Sequence, residues 1–170
     1  MSPVKELPPG YIVAYPNREK AESKTMKTCV VIALVVSVVL MLAVTFGGWS
    51  KLQGLQPLNF LWCLVYIAVA YYVSRWARGM LPIVSGFAIL LLIVALIAGT
   101  GASGTSWFQR NHFDYAPAHS IFGGGGFSPD LLGLLTLLLI PAQILLIYFA
   151  MKAFGQGWNV EVERKIDVAS

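Results

Sequence analysis

The sequence predicts an all-α membrane protein, a bundle of four transmembrane helices with both termini in the cytoplasm. Three observations carry this. First, only 12% of the 170 residues are charged and 57% are apolar, with a mean hydropathy of +0.71. A soluble domain carries about 25% charged residues, so this chain has too little polar surface to cover a globule in water. Second, four runs contain no Asp, Glu, Lys, Arg or His: 28–46, 58–74, 81–99 and 131–151. At the rise of an α-helix each covers roughly 26 to 32 Å, the hydrocarbon thickness of a bilayer. Helices satisfy their own backbone groups there, whereas open strands would leave them unpaired. Third, the basic residues lie on one side of those runs.

The N-terminal tail, 1–27, holds Lys5, Arg18, Lys20, Lys24 and Lys27. The first run follows this mixed-charge segment without a small-x-small cleavage pattern close behind it, and reads as a retained signal anchor. The second run is the shortest, but Trp62, Tyr71, Tyr72 and Trp76 in and beside it form an interfacial aromatic pattern. Arg75 to Met80 allows only a tight helical hairpin, which predicts that the second and third spans are neighbours. The third span carries Ala88, Ala95, Ala98 and Gly99, a face for close approach of another helix. Ser128-Pro129-Asp130 supplies an N-cap, a proline at the first helical position and an acid at the positive end of the fourth helix. Pro141 lies inside that helix, where it frees a carbonyl one turn back.

With four spans, ten of the twelve basic residues share a side: those of the tail, Arg75 and Arg78, and Lys152, Arg164 and Lys165 of the C-terminal tail, 152–170. Only Lys51 and Arg110 fall on the other side. The positive-inside rule puts the basic side in the cytoplasm. The net charge of +4 then sits entirely inside, suited to anionic lipid headgroups and not to nucleic acid.

The external loop, 100–130, holds both histidines. His112, Asp114 and His119 supply three metal-capable side chains, with Arg110 beside them. Two histidines and a carboxylate hold iron or zinc in known sites, but the last ligand there comes from a distant element. The competing reading is an interfacial loop with its aromatics at headgroup depth, and no metal or other cofactor is expected. Gly99-Thr-Gly101-Ala-Ser-Gly104 matches the dinucleotide pattern only literally, because no strand precedes it and no helix follows. Cys29 and Cys63 lie roughly 15 Å apart in depth, too far for a disulfide. Within the spans Gln143, just past Pro141, is the strongest polar candidate, for a bond across helices or to freed backbone. Pro8-Pro9-Gly10-Tyr11 fits a string read by proline-binding modules.

From Trp158 to Val168 apolar and polar residues alternate, with Arg164 as the exception, which is a strand period. Trp158, Val160, Val162 and Ile166 form its apolar face. Such a strand has two uses: adding to a partner's sheet, or pairing with Tyr11–Tyr15 of the other tail. The stretch Phe149-Ala-Met-Lys-Ala-Phe-Gly-Gln-Gly-Trp-Asn-Val-Glu-Val-Glu163 resembles the tail of small four-span proteins of unassigned role in high-GC Gram-positive bacteria. That resemblance implies a multi-pass protein of the bacterial inner, or plasma, membrane.

Spans without ionisable groups argue against an autonomous pump or transporter. The leading expectation is a non-catalytic accessory or scaffold subunit of a larger membrane complex, partnered by the lipid bilayer and by another membrane protein or its own copies. The alternatives are a membrane-embedded enzyme using the external His/Asp cluster, and a small channel or transporter component using Gln143.

Overall fold

Apolar residues of long side chain, free of charge over about five turns, leave the backbone no partner in a bilayer but itself. Four helices result, each long and apolar enough to cross. The computed structural model describes residues 11–52, 54–100, 106–109, 120–121 and 124–165. In chain order these form β1 (Tyr11–Ala14), α1 (Pro16–Glu19), α2 (Ala21–Gly47), α3 (Gln56–Ser74), α4 (Met80–Thr100), α5 (Pro129–Gly155) and β2 (Val162–Lys165). Short 3-10 turns occupy Trp49–Lys51 and Trp107–Gln109. The chain is a multi-pass, all-α membrane bundle with one small two-stranded sheet outside it.

The outer helices overrun the apolar runs. α2 begins at Ala21, so its first turns carry Glu22, Lys24 and Lys27 into the interface. α5 runs from Pro129 to Gly155 and continues unbroken through Pro141. Its start is as expected: the Ser128 side chain accepts from the Leu131 amide, Pro129 opens the helix and Asp130 lies in the first turn.

Each helix buries one stripe. On α2 it includes Val30, Leu34, Ser37, Met41 and Val44; on α3, Cys63, Tyr66, Val69 and Val73; on α4, Leu81, Val84, Ala88, Leu91 and Ala95; on α5, Leu132, Thr136, Leu139, Gln143, Leu146 and Ala150. The three- and four-residue steps are those of one helical face. The remaining faces, with residues such as Ile32, Leu64, Ile93 and Leu145, are exposed from the protein and equally apolar, as suits lipid.

α5 packs on both α2 and α4, and α3 packs chiefly on α2. The expected closeness of α3 and α4 is therefore only partly met. Their turn is tight, and Trp62 meets Phe87 edge-to-face at 5.7 Å, but the two helices touch least of the neighbouring pairs. The small residues explain this: Ala88, Ala95 and Gly99 turn α4 towards α5, where a Cβ on Gly99 would stand 2.8 Å from Leu137 Cδ2. Close approach to α5 draws α4 off α3.

α3 ends in a tight hydrogen-bonded cap. The Ala77 amide donates to Tyr72 O at 3.0 Å and the Trp76 amide to Val73 O at 2.9 Å. This cap requires a left-handed residue, usually glycine, yet Trp76 fills it at φ 66°.

Candidate functional site

The described residues present three places where chemistry or binding is concentrated: a polar clasp inside the bundle, a platform of aromatic and basic residues under the paired tails, and an apolar cleft at the opposite end.

The clasp lies near the middle of the spans. Tyr66 Oη of α3 donates to Gln143 Oε1 of α5 at 2.7 Å, and Gln143 Nε2 donates to Ser37 Oγ of α2 at 2.9 Å. Ser37 in turn donates to Ala33 O at 2.8 Å. All three side chains are fully buried. Gln143 thus bonds across helices, and both ends of its amide are engaged within the chain. Three other buried hydroxyls return to their own helices: Thr45 to Met41 O, Ser85 to Leu81 O, and Thr136 to Leu132 O. Asn59 Nδ2 adds a cross-helix bond to Thr45 Oγ1 at 3.1 Å. Tyr66 is the member that sequence reasoning missed. Its signal was there: a tyrosine at mid-span is far from the interfacial belt and needs a partner for its hydroxyl.

The platform begins with the tails. β1 and β2 pair antiparallel, with Tyr11 opposite Lys165 and Ala14 opposite Val162. Both ends of the described chain therefore meet at one end of the bundle. Trp158 is the anchor, and it stands elsewhere than expected. It is fully buried against the bundle, 5.0 Å edge-to-face from Trp76, and does not lie on the exposed face of the tail. The physical reason is the turn before it. Gly157 takes φ 63°, and Asn17 Nδ2 donates to Gly157 O while Arg18 Nε donates to Trp158 O, so α1 folds the tail inward. Val160 and Val162 remain about half-exposed; Ile166 lies outside the described residues. Around the tryptophan pair, Lys27 sits over the Trp76 ring at 4.1 Å and Arg78 over Phe154 at 4.2 Å, with Arg78 Nε donating to Phe154 O. Cation–ring contacts of this kind hold the half-buried basic residues against the aromatic faces.

The cleft lies between the halves of α3 and α4 far from the paired tails, where the two helices part. It encloses about 260 Å³. Met41 and Val44 of α2 and Thr136 and Leu139 of α5 form its back wall; Asn59 of α3 and Leu91, Ala95 and Ala98 of α4 form its sides. Trp107 and Phe108 form the roof. That roof is pinned to α5: the Ser106 amide donates to Gln109 Oε1, and Gln109 Nε2 donates to Asp130.

Beside the cleft the loop before α5 is docked on the end of α2. The Phe127 amide donates to Gly47 O at 2.8 Å, and Lys51 Nζ donates to the carbonyls of Gly125 and Phe127. A Cβ on Gly47 would overlap the Phe127 ring, so only glycine permits this approach.

Arg110, His112, Asp114 and His119 lie outside the described residues, as do Pro8, Pro9 and Gly10. Cys29 is a half-buried free thiol and Cys63 a buried one. No family model, curated protein or solved structure matches this chain.

Proposed function

We propose that this protein is a non-catalytic accessory subunit of a larger complex in the plasma (inner) membrane, with both tails in the cytoplasm. The tail ribbon carries the reading. It has two strands, and among the described residues neither outer edge is paired. A two-stranded ribbon is marginal alone in water and an open edge invites a third strand. Here the ribbon is fixed to the bundle through Trp158, with Val160 and Val162 exposed beside it. A partner that adds a strand gains backbone hydrogen bonds along the edge and apolar contacts at alternate residues. The clasp fits a passive bundle, because its hydrogen-bonding groups are spent on helix packing.

The test is affinity isolation from native membranes in mild detergent, with the full chain and with residues 160–170 deleted. The deletion keeps Trp158 and so keeps the platform. The expected result is a membrane protein held in fixed ratio by the full chain and lost from the truncated one, with both forms inserted equally. Equal recovery from both forms, or no stoichiometric partner for either, overturns the proposal.

A further inference from the structure

We infer that the cleft between α3 and α4 is a lipid-binding site, which holds one acyl chain of a phospholipid from the leaflet opposite the paired tails. The first argument is what its walls lack. Water in a cavity needs two to four polar partners. The side chains in this wall that carry nitrogen or oxygen are Asn59, Thr136 and the indole of Trp107 in the roof, and the Asn59 amide nitrogen already donates to Thr45 and the Thr136 hydroxyl to Leu132 O. The second is that a void of about 260 Å³ left empty forfeits dispersion contacts all along its lining. Apolar cavities of about 150 Å³ already bind small hydrocarbons. The third is where the mouth opens. Leu55, Val94 and Ile97 form part of the lining and are 41%, 53% and 62% exposed, whereas Met41, Leu91 and Ala95 behind them are 4%, 6% and 1% exposed. Val94 and Ile97 belong to the lipid-facing side of α4, and Leu55 stands just before α3. Hydrocarbon is therefore the medium at the mouth, and an acyl chain is the occupant at hand.

The ends of the site separate a resident chain from a passing one. One turn further in, Trp62 and Phe87 meet edge-to-face and close the gap between α3 and α4. At the other end Trp107 and Phe108 cover it, held through Gln109 to Asp130 at the start of α5. A chain entering sideways is thus bounded above and below by aromatic rings.

Native mass spectrometry of the delipidated full chain, titrated with long-chain phosphatidylglycerol, tests this. One phospholipid should survive the activation that strips all others. Ala98→Trp, which fills the cleft, should weaken that retention by about tenfold or more, equivalent to about 1.4 kcal/mol. Leu90→Trp places the same ring on α4 at a lipid-facing position outside the cleft and should retain the lipid. If Ala98→Trp does not fold, the unmodified chain decides: long-chain phosphatidylglycerol should be retained and a short-chain form released. Equal loss from both tryptophan variants, no retained lipid in the unmodified chain, or retention of a polyprenyl phosphate in preference to the phospholipid overturns the inference.

Discussion

At Gln143 a polar side chain is fully buried in a medium with no water, and its two bonds tie three helices together. Interhelical hydrogen bonds in membranes contribute about 0.6 kcal/mol on average and up to about 1.7. Gln143→Leu is expected to cost an amount in that range, measured by unfolding in mixed detergent micelles. Tyr66→Phe added to it should cost less than the two single changes summed, because the tyrosine hydroxyl has already lost its acceptor. Strict additivity would mean the pair does not act as a unit. Trp76 poses a different residue-scale problem, a bulky side chain at φ 66°. It is held there by the Trp158 ring and by Lys27. Both Trp76→Ala and Trp76→Gly lose that packing, but alanine keeps a Cβ in the left-handed region. Alanine should be the less stable by about 1–2 kcal/mol, read from unfolding midpoints; equal losses would show that the cap stores no such cost.

Among the elements, the ribbon depends on contacts that pH can remove. The Tyr15 hydroxyl donates to Glu161 Oε1 at 2.9 Å. That bond, and next the negative charge of Glu161, raise the tyrosine above its ordinary value of 10.0. A raised folded pKa gives stabilisation that is complete below the unfolded value and lost as pH rises through the folded one. Hydrogen-exchange protection of the β1 and β2 amides should therefore fall above about pH 10, modestly, since Tyr15 is exposed to solvent. In Tyr15→Phe it should start lower and lack that step; an identical step in both would assign it elsewhere. The strands were legible because alternation is visible in a polar setting, and the pairing of the two tails follows from their shared side. The helix faces were not. Ile32 and Leu34 look alike as residues, yet one is 56% exposed and the other fully buried, because lipid and protein interior are equally apolar and leave no amphipathic stripe. The separation of α3 from α4 was hidden for the same reason. A tight turn fixes only the near ends, and Gly99 against Leu137 decides where the far end of α4 goes.

For the molecule as a whole, the four crossings could be read from charge-free runs, whereas the places of interest could not. Trp158 read as a partner-facing residue because alternation does not reveal that Gly157 reverses the chain into the bundle. The cleft had no sequence signal, being the gap left when α4 follows α5. The paired tails put residues 11–14 and 162–165 at one end of the bundle, and most basic residues lie at that same end, several seated on aromatic rings. Moving that end across the bilayer would carry nine basic side chains of the described residues with it, against the charge bias that orients short loops. Single cysteines placed in a background of Cys29→Ser and Cys63→Ala give a direct readout. Gly79→Cys in the α3–α4 turn and Asn159→Cys beside the ribbon should react with an impermeant maleimide only after intact cells are permeabilised. Ile121→Cys, 49% exposed at the other end, should react without permeabilisation. The reverse pattern would put the tails outside and remove the cytoplasmic-partner proposal. Gly79 and Asn159 on different sides would be incompatible with four crossings, because two spans, α4 and then α5, lie between them and return the chain to the side it left.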